Sequence, residues 1–187
     1  MKTAPAIQGL TLIEIMVVLA VLGIVLALAA PSFADLLNRQ RVRAVAAELS
    51  TDLALARAET GLRPQDVTIR FGKNSSLSCY TAYYYGGSGN CDCTRAPSET
   101  CNGQVTEFRT NRVPASYGVE IEATGTWPKS YLAGMLNFRS PQMTASVPDF
   151  AVTVRGRSGA TLRVQLNGMG RVLTCAPDGN FSGVARC

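Results

Sequence analysis

Three patterns of apolar and polar residues follow one another along the chain. Residues 10–30 are apolar except for Glu14, and residues 31–60 place apolar side chains at three- and four-residue steps. From residue 66 onward, apolar and polar side chains alternate with a period of two between clusters of Gly, Pro, Asn and Ser. The first two patterns predict one helix over about residues 10–60, and the third predicts a domain of β-strands.

The first half of the predicted helix is long enough to cross a membrane, since residues 10–30 would rise about 30 Å as a helix. A carboxylate inside such a stretch costs a few kcal/mol and usually marks a partner or a site, so Glu14 indicates one of these. The leader, residues 1–9, has Lys2 as its only side-chain charge and ends at Gly9. Cleavage after Gly9 would create an amine at Leu10 that could neutralise the Glu14 of a neighbouring copy.

The second half of the predicted helix, residues 31–61, is amphipathic. Pro31 lacks a backbone N–H and clashes with the preceding turn, so it predicts a kink and not an end. Gly61 and Pro64 predict the stop. We expect the charged Asp52 and Glu59 to lie largely off the apolar stripe. The stripe, which we expect to pack on the head, consists of Val42, Val45, Ala46, Leu49, Leu53 and Ala56.

The remaining residues, 62–187, predict one β-rich head. Alternating and β-rich segments predict strands at residues 67–71, 77–85, 119–122, 150–154 and 162–166. Between them, residues 86–90 predict a loop and residues 157–159 a hairpin turn. The expected fold class is therefore α+β, with a long N-terminal helix packed on an antiparallel head of two sheets.

The chain contains six cysteines, an even number that indicates disulfide bonds in an exported domain. Cys175 and Cys187 lie far from the others, and a bridge between them would stabilise the tail by about 3 kcal/mol, so we predict this pair. The other four, whose pairing stays open, are Cys79, Cys91, Cys93 and Cys101. Four thiolates could instead bind zinc, but their spacing fits no usual knuckle, so we expect neither metal nor cofactor.

The composition gives little support for catalysis. The chain has no histidine, which removes the commonest general base, and it lacks the sequence motifs of serine hydrolases, P-loops and dinucleotide-binding proteins. We therefore do not expect an enzyme. The net charge is +5, and the last third, from Arg139, contains six arginines and two aspartates. Such a basic region can attract nucleic acid or anionic lipid.

Residues 9–14 read Gly-Leu-Thr-Leu-Ile-Glu, and together with Pro31 they resemble the class III signal and N-terminal helix of type IV pilins and pseudopilins. The resemblance implies cleavage after Gly9 by a prepilin peptidase, N-methylation of Leu10, and assembly through Glu14, which would meet the N-terminus of a neighbouring pilin. Leu10 departs from the family pattern, in which Phe is usual. The implied location is the bacterial inner membrane, crossed once, with the disulfide-containing head in the periplasm until assembly into a filament.

Two further segments resemble the GspH/FimT branch of this family. Residues 49–59 are similar to its Leu-x-x-x-Leu-x-x-Ala-Arg-x-Glu segment, and residues 168–175 to the Gly-Arg-x-Arg stretch whose arginines are linked to DNA binding. Arg171 matches the first of these arginines, while Leu173 replaces the second. The resemblance implies a minor pilin of a type IV pilus. The alternatives are a type II secretion pseudopilin and a minor pilin that binds double-stranded DNA during uptake, in which Arg163 and Arg186 would assist Arg171.

A conventional signal peptide is the competing interpretation of the N-terminus. Residues 27–29 form an Ala-x-Ala site, and cleavage there would release a secreted protein that starts at Ala30. The length of the apolar run and the carboxylate inside it argue against this. The positive-inside rule also conflicts with export of the head, because Lys2 precedes the span while three arginines follow it, Arg39, Arg41 and Arg43. The cysteines, which indicate an oxidising compartment, decide for export.

Overall fold

The computed structural model describes residues 11–129, 132–167, 169–179 and 181–187. Within them the chain forms one α-helix, two short 3-10 helices and nine strands. The chain divides between residues 37 and 38 into two compact units. The leader and the predicted cleavage and methylation site, Gly9 and Leu10, lie outside the described residues.

Helix α1 runs over Leu12–Leu62. At its start the Thr11 hydroxyl accepts a hydrogen bond of 3.3 Å from the backbone N–H of Glu14, which satisfies one of the free N–H groups of the first turn. The helix ends at Leu62, between Gly61 and Pro64, the two residues that predict its stop, and Gly61 itself lies inside the helix. The N–H of Arg63 still donates to the carbonyl of Glu59 at 3.0 Å, so the last turn closes beyond the glycine.

Within the first unit, α1 is apolar and exposed. Its most apolar 18-residue window has a mean hydropathy of 2.9, none of it is buried, and this is the only helix in the described part of the chain that is apolar and long enough to cross a membrane. Pro31 lies inside α1. The kink that it predicts stays a prediction.

Within the second unit, α1 packs through one face. Every apolar residue of the predicted stripe is buried there. The prediction for Asp52 is wrong, because it lies in the same buried stripe and is 5% exposed. Its carboxylate is tolerated there because two side chains from the strands bind it, as the next section describes.

Nine strands form two antiparallel sheets, which confirms the predicted α+β fold class. Their bounds are β1 (Val67–Lys73), β2 (Leu77–Cys91), β3 (Cys101–Pro114), β4 (Val119–Thr124), β5 (Met135–Arg139), β6 (Thr144–Ala145), β7 (Ala151–Gly156), β8 (Thr161–Leu166) and β9 (Val172–Cys175). The five-stranded sheet has the order β3-β2-β1-β5-β6, and the four-stranded sheet has the order β4-β7-β8-β9. The core lies between α1 and the inner faces of both sheets, and its largest apolar members include Leu49, Leu53, Ile69, Leu136, Phe138, Phe150 and Leu162.

The predicted loop at residues 86–90 is wrong, because these residues continue β2. After an irregularity that follows Tyr85, Gly89 and Asn90 pair with β3. Glycine is needed there because the two backbones approach closely: a Cβ on Gly86 would lie 2.2 Å from the carbonyl oxygen of Gln104, and one on Gly103 would lie 2.6 Å from the Cα of Gly89. Glycine-rich sequence therefore marks a tight two-stranded ribbon. The turn predicted at residues 157–159 does connect β7 to β8.

Three disulfide bonds fix the head. One is the predicted pair, Cys175–Cys187, and the two whose pairing was open are Cys79–Cys93 and Cys91–Cys101. Because all six cysteines are oxidised, the four thiolates of the zinc alternative do not exist in this structure. The bridge from Cys93 to Cys79 returns the loop after β2 to the start of that strand.

Candidate functional site

Glu14, the predicted assembly residue, lies in the first turn of α1 and is exposed. Within the described residues its carboxylate has no hydrogen-bond or ion-pair partner, while its backbone N–H is capped by Thr11. The threonine is a second polar residue at this helix start, and its spacing to Glu14 is that of a capping box. The first turn of α1 thus presents one carboxylate on an otherwise apolar surface.

The large apolar side chains that surround Glu14 along the first unit are also exposed. They include Leu12, Ile13, Ile15, Met16, Val17, Val18, Leu19, Val21, Leu22, Ile24, Val25, Leu26, Leu28, Phe33, Leu36 and Leu37. An apolar surface of this extent is typical of a segment that lipid or other helices cover.

The segment at residues 49–59, which resembles the GspH/FimT pattern, joins α1 to the five-stranded sheet through its polar residues. Asp52 accepts hydrogen bonds from the Tyr80 hydroxyl at 2.7 Å and from Arg109 Nε at 2.9 Å. Arg109 also contacts Glu48 at 3.3 Å. Burial, followed by the bond to Asp52, raises the pKa of Tyr80 well above its ordinary value, so the hydroxyl remains a donor. The buried charge of Asp52 is therefore compensated by one cation and one hydroxyl.

Glu59 forms the second polar contact of this segment. It accepts a 2.6 Å hydrogen bond from the hydroxyl of Tyr84 and lies 3.5 Å from Arg63 one turn later. The guanidinium of Arg63 also lies over the Tyr84 ring, 5.0 Å from its centroid. Burial, and then the bond to Glu59, raises the pKa of Tyr84. Tyr80 and Tyr84 were not predicted as partners of the helix; their shared spacing along one face of β2 was the only available signal.

Arg57 brings the two segments that resemble the GspH/FimT branch together. Its Nε donates to the carbonyl of Met143 at 3.2 Å. Gly170 lies against the same group, since a Cβ there would be 2.9 Å from the Met143 carbonyl oxygen and 3.1 Å from Arg57 Nε. Gly170 has a φ of +72°, which also favours glycine. Gly168, the first residue of that segment, lies outside the described residues.

The three arginines predicted to contact DNA do not form one cluster. Arg163 lies on β8 opposite Cys175, and Arg186 forms a bridge with Ala176, so these two lie at the same end of β9. Arg171 precedes the other end of β9, about 13 Å away along the strand, and its N–H donates to the side chain of Asn167 at 2.8 Å. Arg163 is partly buried, whereas Arg171 and Arg186 are exposed.

Comparison with known proteins gives one sequence match and one structural match. The prokaryotic N-terminal methylation motif matches residues 5–30. No curated protein matches the chain in sequence. The fold is similar to that of the minor pseudopilin EpsH from the type 2 secretion system of Vibrio cholerae, with a TM-score of 0.50 and 15% sequence identity. The match covers 73% of this chain and 98% of that protein.

The two matches bear on different features of the chain. The methylation motif covers the leader and the apolar part of α1, which contain Gly9, Leu10 and Glu14. The structural match supports the α1-on-two-sheets architecture. The chain therefore combines a prokaryotic N-terminal methylation motif with a fold that is similar to that of a minor pseudopilin.

Proposed function

We propose that this chain is a non-enzymatic minor subunit of a type IV pilus, held in the inner membrane by residues 10–30 until it joins the filament. The observation that carries the proposal is the exposed apolar face of α1 with the single carboxylate of Glu14 in its first turn. Lipid covers this face before assembly, and the helices of neighbouring pilins cover it afterwards.

Glu14 sets the axial position of the subunit in the filament. After a prepilin peptidase cuts behind Gly9, the methylated amine of Leu10 in one subunit pairs with Glu14 of the next. Within a bundle of apolar helices the dielectric constant is low, so loss of one partner leaves an uncompensated charge that costs a few kcal/mol. The pair therefore favours one register over others.

The substitution Glu14→Ala tests this role in cells that assemble the filament. We expect the variant to reach the membrane fraction in normal amounts and to be depleted in filaments sheared from the cell surface. Glu99→Ala, which removes an exposed carboxylate from the head, is the matched control and is expected to behave as wild type. Normal recovery of the Glu14 variant in sheared filaments would refute the assembly role.

A type II secretion pseudopilin is the second candidate, and the fold similarity to EpsH favours it. Both candidates share the anchoring helix, so deletion of the gene separates them. Loss of export of folded proteins with intact twitching motility supports the secretion system, and the reverse result supports the pilus.

Binding of double-stranded DNA is the third candidate, supported by the exposed guanidinium of Arg171. Salt-dependent retention of a duplex by the full chain would support it, provided that Arg171→Ala weakens retention and lowers the salt dependence. Equal retention by both proteins would exclude this arginine as the contact.

A further inference from the structure

Three exposed arginines surround the end of the second unit that contains its first helical residue, Asn38. Arg41 and Arg43 lie on α1 itself. Arg157 lies in the turn after β7, which is fixed beside the helix by a 2.6 Å hydrogen bond between the side chains of Asn38 and Ser158. We call Arg41, Arg43 and Arg157 the basic collar.

The collar arginines are positioned by neutral groups. Arg41 donates to the carbonyl of Tyr117 at 3.1 Å, Arg43 to that of Ser182 at 2.9 Å, and Arg157 to that of Ala115 at 3.0 Å. Among the described residues, none of the three forms an ion pair with a carboxylate. Each guanidinium has five N–H donors, so each keeps its full charge and free donors after these bonds.

Three other arginines of the head do have carboxylate partners. The carboxylate partners of Arg63, Arg70 and Arg109 are Glu59, Asp92, and Asp52 with Glu48. Aromatic rings further restrict two collar residues, since Arg41 lies 5.0 Å from the Tyr117 centroid and Arg43 lies 5.9 Å from that of Phe181. The collar is therefore an oriented set of uncompensated cations.

A recess of about 330 Å³ opens beside the collar. Its walls include Arg157, Arg155, Lys73 and the backbone around Gly118. Lys73 pairs with Glu120, which leaves the two arginines as cations without a carboxylate partner among the described residues. A recess of this size can admit a phosphate group together with part of a small polar headgroup.

We propose that the basic collar binds anionic phospholipid headgroups of the membrane that holds the first unit before assembly. Arg41 lies 11 residues beyond residue 30, the end of the predicted span, which corresponds to about 16 Å along a helix. This distance is shorter than the Debye length at low salt, so its charge still acts on an anionic surface there. Arginine matches the geometry of phosphate oxygens with paired N–H groups. Each juxtamembrane cation is worth about a fivefold preference for an anionic surface, or on the order of 100-fold for three at low salt. The inference rests on the proposed membrane-anchored state.

The test uses the full processed chain in nanodiscs made of phosphatidylcholine alone or of phosphatidylcholine with phosphatidylglycerol. Native mass spectrometry then counts the lipids that stay bound to the protein when it is released from the nanodisc. We expect wild type to retain phosphatidylglycerol in preference to phosphatidylcholine. A variant with Arg41→Gln, Arg43→Gln and Arg157→Gln is expected to lose the preference at least tenfold, and the three Arg→Lys substitutions are expected to keep most of it. Raised salt should weaken the preference of wild type.

The matched control removes the same charge from exposed positions elsewhere, with Arg95→Gln, Lys129→Gln and Arg139→Gln. It is expected to retain phosphatidylglycerol as wild type does. An equal loss in the control and the collar variant would overturn the proposal, because net charge alone would then explain retention. Equal retention of both lipids by wild type would overturn it as well.

Two further outcomes separate this inference from its basis and from nucleic-acid binding. A chain that does not co-elute with nanodiscs would contradict the membrane anchor itself, whereas normal co-elution without lipid preference contradicts the collar alone. When duplex DNA is added to the same preparations, we expect wild type and the collar variant to retain nearly equal amounts of it. If the collar variant loses DNA and keeps its lipid preference, the collar is a nucleic-acid surface and the lipid proposal fails.

Discussion

At the scale of single residues, the attachment of α1 to the five-stranded sheet depends on a buried carboxylate. Asp52 is nearly inaccessible, and its two partners, Tyr80 and Arg109, come from neighbouring strands of the sheet. A buried charge is stable only while its hydrogen bonds are made, so this contact requires one arrangement of helix and sheet. Burial of the apolar stripe also stabilises the packing of α1 on the sheet, but it does not select one arrangement as strictly as hydrogen bonds to Asp52 do.

Tyr80→Phe removes one hydrogen bond from Asp52 and leaves the ring in the core. We expect the free energy of unfolding of the head to fall by about 1–3 kcal/mol, because the carboxylate stays buried with one partner fewer. Denaturant titration of the full chain in detergent measures this loss. Tyr85→Phe is the control, since the Tyr85 hydroxyl bonds the carbonyl of Gly87 at an exposed site, and its expected cost is below about 0.5 kcal/mol.

The pH dependence of this contact has a defined sign. The ordinary pKa of Tyr80 is 10.0, and burial together with the bond to Asp52 raises it in the folded state. Stability from this hydroxyl is fully present below about pH 10 and is lost as the pH rises further, because the unfolded chain ionises first. The unfolding free energy of Tyr80→Phe should therefore fall less steeply above pH 10 than that of wild type. Parallel slopes would contradict the assignment.

The sequence reveals the apolar residues of this interface better than the polar ones. Leu49, Leu53 and Ala56 follow the helical period, so their burial was predictable. Asp52 occupies the same face, but a carboxylate is placed in a core only if its partners are known, and Arg109 is 57 residues away along the chain. The arginines predicted to bind DNA show the same limit, because strand register separates Arg171 from Arg163 and Arg186.

At the scale of elements, the long pair β2 and β3 is the part that the sequence describes least well. Residues 101–114 carry many polar side chains and bury only Val113, so no alternation marks β3 as a strand. The glycines at residues 86–90 suggest a loop, yet they permit the close approach of the two strands. By contrast, β4, β7 and β8 each have one largely buried face, β1 alternates apolar and polar residues in sequence, and α1 has one buried stripe in the second unit. Their periodicity therefore predicts them.

Gly103→Ala tests whether close backbone approach explains the glycines of this ribbon. Gly103 has a φ of +78° and would place a Cβ 2.6 Å from Gly89, whereas Gly159 has a φ of +80° and open space around it. We expect Gly159→Ala to lower the unfolding free energy by about 1 kcal/mol from backbone strain alone. Gly103→Ala should cost distinctly more and increase hydrogen exchange in β2 and β3. Equal costs would show that contact between the strands is unimportant.

At the scale of the whole molecule, the two units expose different surfaces, one suited to an apolar environment and one suited to water. The first unit exposes apolar side chains that need lipid or other helices, while the second unit has a closed core with three disulfide bonds. Disulfide bonds persist in oxidising compartments, which agrees with a head outside the cytoplasm. The proposed function uses both surfaces, since the subunit would lie in a membrane before assembly and in a filament afterwards.

The mass of the N-terminal peptide of the mature protein, purified from membranes, tests the central claim most directly. We predict a peptide that starts at Leu10 and carries one added methyl group, because the proposed cleavage follows Gly9, which lies within the matched methylation motif. Such a product retains Glu14 and the apolar part of α1. A peptide that starts at Ala30 would remove the anchor and the assembly residue together, and would contradict the account of a membrane-anchored pilin-like subunit.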